Sequence, residues 1–414
     1  MFVSGIRGSA RRLGRAALLG GVVLGLAATT GSALADTKIG ALMPMTGALQ
    51  AYGTTSLNGV RMAIDEINAQ GGVLGGKLAL AVGDTQTNPQ AGVDAAQKLV
   101  SVEGVVGIVG ALASGVSIPV AKSVSSVAGI PQISSASTSP VLTDLDDKDF
   151  LFRTVPHDAL QGVVLADVVK KNGLSKVGII YVNNDYGDGL QKSFSAAFAK
   201  LGGTVTASLP YEEKKASYRG ELSKLAGGKP QALVLIGYPE DGTPILRQSL
   251  EEGFFKKFVF TDGMKAPEII AAIGAQYLNG SIGTAPEAIA DSPTAATFKK
   301  AYEAKFGELP PKPFIDTAYD ATFILALAIQ KAGSADPKKV RDALRAVAGP
   351  PGVKIGPGQW KEAVAAIAAG KDIDYVGASG SQDFDAKGDV PGTFGVWTIA
   401  DGQIKTLEIV EPKM

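Results

Sequence analysis

Two clusters of small polar residues, two tyrosines and one aspartate carry the chemistry this sequence offers. Leu112-Ala113-Ser114 and Ala136-Ser137-Thr138 supply hydroxyls and backbone N–H groups, while Tyr186, Tyr238 and Asp262 supply two phenols and a carboxylate. Small residues that open a helix present free N–H groups to an anion. A carboxylate in a closed cleft calls for a cation. A small zwitterion with an apolar tail satisfies both demands. Catalytic readings lack parts. The chain has no cysteine, and its single histidine, His157 beside Pro156, reads as a surface residue. Thiol chemistry, a Ser-His-Asp triad built on Ser114 and a zinc centre therefore have little to stand on. No enzymatic activity, cofactor or metal is expected.

Each group sits just past an apolar run. Val105–Val109 precedes the first cluster and Pro131–Ser134 the second; Val177–Val182 precedes Asn183–Gly189, Ala232–Ile236 precedes Gly237-Tyr238-Pro239, and Phe258–Thr261 precedes Asp262-Gly263. Short β-branched runs of this kind read as buried strands, and in open parallel sheets ligands bind beyond the carboxyl ends of the strands. After the first run, Pro119 suits the first turn of a helix beginning near Ser117. Lys38–Met43 reads as the opening strand. Leu57, Val60, Ile64 and Ile67 then fall on one helical face, and Asn88-Pro89 opens another helix with Asn as its cap. A second set of the same units begins near Asp158. Leu151–Val155 and Ser281–Thr284 read as crossing segments, and Gly349–Gly358 as a Gly/Pro-rich loop. Alternating strands and helices with short connections imply an α/β fold. Two such sets predict two similar βα lobes with parallel central sheets, joined by a multi-strand hinge.

The first 35 residues differ from the rest. Arg7, Arg11, Arg12 and Arg15 precede an apolar run from Ala16 to about Ala28, and Ala33-Leu34-Ala35 precedes Asp36. That is the pattern of a cleaved secretory signal, and the apolar run is short for a membrane span. Taking those four arginines from the 40 basic residues leaves 36 against 40 acidic ones, a net charge of −4. A mildly acidic surface argues against nucleic acid as a partner. An exported chain without cysteine must stand on its hydrophobic core, which 414 residues can supply.

From Lys38 to about Asp262, and more loosely to the C-terminus, the chain resembles the type I periplasmic binding proteins of the leucine/isoleucine/valine-binding class. The matching stretches are M-T-G-A-L-Q-A-Y-G at 45–53, N-G-V-R-M-A-I-D-E-I-N-A-Q-G-G at 58–72, G-A-L-A-S-G at 110–115, S-A-S-T-S-P at 135–140, N-D-Y-G-D-G at 184–189 and G-Y-P-E at 237–240. The resemblance implies a periplasmic receptor that captures a small amino acid, aliphatic or branched, and delivers it to the permease and ATPase of an ABC importer. It implies that Ser114 and Thr138 hold the ligand carboxylate, and that the Ala136 carbonyl, Thr138 and Asp262 hold its ammonium. Asp262 stands where the family more familiarly has Glu. Tyr52, Leu112, Ala113, Tyr186, Tyr238 and Tyr319 would shape the side-chain pocket, with Ser137 in the same loop as Thr138. The expected division is a signal peptide at 1–35, a first lobe from 36–154 and 286–377, and a second from 155–285 and 378–414, in a monomer. An aromatic carboxylate, an amide or a γ-amino acid as ligand, and a ligand-sensing subunit as role, are the alternatives.

Overall fold

The computed structural model describes residues 36–412; the expected signal peptide lies outside them. Strands β1 (Thr37–Met43), β2 (Leu78–Asp84), β3 (Ile108–Gly110), β4 (Gln132–Ser134) and β5 (Leu151–Arg153) pair in parallel in the order β2-β1-β3-β4-β5. β6 (Lys176–Val182), β7 (Thr204–Tyr211), β8 (Ala232–Ile236), β9 (Phe258–Phe260) and β10 (Ile282–Pro286) form the parallel part of a second sheet. β11 (Val353–Ile355), β12 (Ile373–Gly377) and β13 (Gly380–Ser381) form a small mixed sheet. β14 (Phe394–Ala400) and β15 (Gln403–Val410) close the second sheet antiparallel, giving the order β15-β14-β10-β9-β8-β6-β7. The inner strand β8 is buried at every residue, as expected of a parallel strand covered on both faces.

Three elements differ from the sequence reading. The helix after β3 begins at Ser114 rather than Ser117, so Pro119 lies inside it. Ala113 is already extended, and its carbonyl takes the N–H groups of both Val116 and Ser117, so the helix starts three residues early. Pro119 has no N–H for the carbonyl four residues back, and a π-helical stretch follows over Ala121–Ser125. Of Ser281–Thr284, the residues from Ile282 on belong to β10, an inner strand of the second sheet rather than a crossing segment. Val353–Ile355, inside the expected loop, pairs in parallel with β12, a partner too distant in sequence for local pattern to reveal.

The chain passes between the sheets after β5, after β10 and before β14, and these crossings bind one another. Arg153 N–H donates to Gly388 O at 3.0 Å, and Glu287 N–H to Thr393 O at 3.1 Å. The Arg153 guanidinium is buried; it grips Asp389 at 2.6 and 2.9 Å and also donates to Ser139 O at 2.9 Å. One crossing is thereby tied to another and to the loop after β4. In the first lobe the helix Ile315–Ala332 is buried almost all round, the pattern of a central rather than a surface helix. Among the described residues no helix is long and apolar enough to cross a membrane.

Candidate functional site

The site lies where the carboxyl ends of the two sheets face each other. On the first lobe, β3 ends at Gly110, whose φ is +129° and where a Cβ would stand 2.2 Å from Leu42 O. Glycine alone fits that turn. The following carbonyl, Ala111 O, receives hydroxyls from Ser117 at 3.1 Å and Ser134 at 2.6 Å. Ser134 Oγ in turn takes the Ser137 N–H at 3.0 Å, and the Ser137 hydroxyl donates to Leu112 O at 3.0 Å. This serine net locks the two loops together. Ser114 then accepts from Ser139 N–H at 3.1 Å and stands at the opening of its helix, where the first N–H groups have no intrahelical partner.

On the second lobe, Asn184 caps the helix Asp185–Lys200, accepting from the N–H groups of Tyr186 and Gly187 at 3.1 Å. Its amide also donates to Tyr238 Oη at 3.2 Å, and the Tyr186 and Tyr238 rings stack at 5.6 Å. Asp262 opens the short turn after β9. Tyr186 Oη and Gln161 Nε2 both donate to its Oδ1 at 2.9 Å. Burial pushes the Asp262 carboxyl up to about 6 against the pull of those two bonds. Burial, and then the Asp262 charge, raise Tyr186 well above its ordinary value, so its hydroxyl remains a donor.

A small cavity of about 20 Å³, room for little more than a water, lies between these walls. The structure brings Tyr52, Leu112, Ala113, Ser114, Ala136, Tyr186, Tyr238 and Asp262 to its surface, and adds Leu49, Gly263 and Phe314. Three expected residues stand elsewhere. Ser137 is consumed by the serine net. Tyr319 points into the first lobe, where its hydroxyl donates to Glu66 at 2.5 Å and accepts from Gly358 N–H at 3.0 Å; its position in the central helix gives it no access to the cavity. Thr138 is buried behind the wall, and its hydroxyl has no hydrogen-bond partner.

Beside Thr138 is a residue the sequence reading missed. Asp158 opens the helix Asp158–Lys171, donates its N–H to Thr138 O at 2.7 Å, and is fully buried. Neither carboxylate oxygen has a partner, nor does Gln161 Oε1. Burial, then the nearby Asp262 charge, push the Asp158 carboxyl far above its usual range. Thr138 is near enough to oppose that rise but makes no well-formed hydrogen bond with it. In the sequence Asp158 looks like an ordinary acid in a helix's first turn. His157, just before it, is half-buried rather than on the surface. Unpaired buried acceptors are costly, and here they lie close behind Asp262, which lines the cavity. The arrangement fits a ligand carrying a positive group there and an apolar body against Leu112 and Phe314. Across the cleft, Tyr52 Oη donates to Gly263 O at 3.0 Å, and Lys312 joins Ala51 O of the first lobe at 2.9 Å and Glu268 of the second. The lobes are in contact around the cavity.

A family model described as periplasmic binding protein matches residues 36–369. The chain belongs to the periplasmic binding protein family. Its fold agrees with that membership: a leucine binding protein, LivK, of Thermotoga maritima superposes with a TM-score of 0.78 at 27% identity, over 91% of this chain and 99% of that one. The branched-chain amino acid transporter substrate binding protein LivJ of Streptococcus pneumoniae, solved in complex with isoleucine, gives 0.77 at 26% identity, over 91% of this chain and all of that one. In sequence, the Leu/Ile/Val-binding protein BraC3 of Rhizobium johnstonii is 33% identical over 313 residues, which is 75% of this chain and 84% of that protein. As a periplasmic binding protein this chain is a solute receptor, and its two-lobed α/β architecture is the one the sequence predicted.

Proposed function

We propose that this periplasmic binding protein captures a small aliphatic amino acid, of the branched-chain type, between its lobes and delivers it to the permease and ATPase of an ABC importer. The observation that carries this reading is the Asp262 carboxylate in the wall of an otherwise mostly apolar cavity, with the unpartnered acceptors of Asp158, Gln161 and Thr138 close behind it. A ligand ammonium would bond the Ala136 carbonyl and Asp262, with the Thr138 hydroxyl and the Asp158 charge behind them. The ligand carboxylate would take the Ser114 hydroxyl and the free N–H groups at the start of its helix. Leu112, Tyr52 and Phe314 would cover the side chain. Relatives named for leucine, isoleucine and valine, and a neighbour holding isoleucine, support the same class.

The magnitudes agree. Hydrogen bonds to charged groups contribute about 1.5–3 kcal/mol each, and micromolar affinity requires about 8 kcal/mol. Three or four such bonds plus the burial of an aliphatic tail reach that after the costs of ordering. A ligand that bridges the lobes stabilises the closed form by its contacts with the second lobe, which lets a transporter distinguish loaded from unloaded receptor. Calorimetry on the chain from Asp36 onward tests this reading. Leucine, isoleucine or valine should bind in the micromolar range or tighter, and replacing both Ser114 and Thr138 with Ala should abolish binding while leaving the melting curve nearly unmoved. Absence of heat with all three amino acids would overturn it.

A further inference from the structure

Two lysines carry nearly buried side chains at the seam between the lobes. Lys265 exposes 6% of its side chain and Lys312 7%. A buried ammonium is costly unless a partner answers it, so what matters is where each partner sits. Lys265 follows β9 and Glu287 follows β10, neighbouring strands of the second sheet, and the two pair at 2.5 Å. That pair stays together however the lobes move. The same holds for Arg153 and Asp389, which join one crossing segment to another.

Lys312 differs. Its ammonium donates to Ala51 O at 2.9 Å, in the helix Gln50–Ala69 of the first lobe, and to Glu268, in the first turn of the helix Pro267–Ile273 of the second. The loop that carries it reads Leu309-Pro310-Pro311-Lys312-Pro313. Its three prolines restrict the backbone, and the Lys312 N–H closes a tight turn on Pro310 O at 2.7 Å. Ala51 immediately precedes Tyr52, whose Oη reaches Gly263 O in the cavity wall. Burial, then the Asp262 and Glu268 charges, raise the Tyr52 hydroxyl well above its ordinary value, so Glu268 stands near that wall. Lys312 itself does not line the cavity.

We propose that Lys312 is a positioning residue for solute capture: by holding Ala51 and Glu268 at once, it locks the lobes shut beside a ligand it never touches. This rests on the reading of the cavity between the lobes as an amino-acid site. The two halves of the lock ride on different lobes, so the pair is made only when the lobes meet. In the shut form Lys312 is out of water and Glu268 answers its charge. Without that carboxylate the shut form alone is penalised, because in the open form water solvates the ammonium. Glu268 keeps 52% of its side chain exposed, which limits the effect to about threefold to tenfold in population. Fewer shut molecules weaken every ligand by one factor. A residue that touches the ligand instead favours one ligand over another.

Calorimetry with leucine and with valine tests this. Glu268→Gln should weaken both by the same factor, about threefold to tenfold, and leave the melting curve of the ligand-free protein nearly unmoved. Lys312→Met, which removes the buried charge itself, should weaken them less, and adding Glu268→Gln to it should cost nothing further. Unchanged affinity in Glu268→Gln would overturn the proposal. So would a loss confined to one of the two ligands, or a full second loss in the double variant. A wild-type protein that binds neither amino acid would refute the amino-acid reading instead. The lock is then judged from the distance between spin labels on Ser101→Cys in the first lobe and Lys200→Cys in the second, both exposed in a chain with no other cysteine. A population with the shut spacing in the ligand-free protein, diminished by Glu268→Gln, supports it; identical distributions refute it.

Discussion

Asp320, in the central helix of the first lobe, and Asp262, at the edge of the second sheet, are both buried, yet their surroundings differ in kind. Asp320 Oδ1 accepts from Tyr375 Oη at 2.8 Å and Ala378 N–H at 2.7 Å; Oδ2 accepts from Ser379 N–H at 2.8 Å and Ser379 Oγ at 2.6 Å. Both oxygens are satisfied, and the result ties the helix to the β12–β13 turn. Asp262 takes both of its side-chain donors on one oxygen, and its neighbour Asp158 takes none. A buried charge with all its bonds made fastens the fold. One with bonds missing costs free energy until something else supplies them. The contrast separates a structural carboxylate from a functional one without reference to sequence position.

Replacing each in turn should pull stability and binding apart. Asp320→Ala leaves four donors, two of them fully buried, without their acceptor and should cost about 3 kcal/mol in urea unfolding. Asp262→Ala should leave the unfolding curve within about 0.5 kcal/mol of wild type, since it also removes the burial cost of the charge. The same variant should weaken leucine binding by about tenfold or more in calorimetry. Equal losses of stability in the two variants would erase the distinction.

A smaller effect follows from pH. The Asp262 carboxyl is pushed up to about 6 in the folded protein, against about 3.9 in an unfolded chain. The folded state therefore binds the extra proton between about pH 4 and 6, and this group's contribution to stability declines as pH rises through that window. Ligand binding runs the other way, because an ammonium needs the ionised acid. Affinity should be level above about pH 7 and fall as pH drops below about 6, by at most tenfold per unit for one group. Titrations from pH 5 to 8 check this, and Asp262→Asn should flatten the profile.

The elements that could be read from sequence are those set by local pattern. Apolar runs mark the strands, and the rule that ligands sit beyond strand ends picks out Ser114, Ala136, Tyr186, Tyr238 and Asp262, all of which line one cavity. Asp158 and Phe314 escaped for a shared reason. Each sits where the chain leaves one lobe or enters a helix, so its role depends on what the other lobe places opposite. Tyr319 is the converse. The resemblance assigned it to the pocket, but one turn into the central helix it stacks on Phe323 at 5.7 Å and bonds Glu66. Phe314, just before that helix, occupies the wall instead. The strand Val353–Ile355 was hidden because only its distant partner β12 makes it one.

The comparison of leucine with 4-methylpentanoate, the same molecule without its amine, bears most directly on Asp262 and on the unpartnered Asp158 beside it. If Asp262 and Asp158 await a positive charge, leucine binds and the amine-free acid loses about 100-fold or more, because it leaves both acids without a cation in a closed cleft. Equal affinity for the two would contradict that assignment and return both aspartates to the fold.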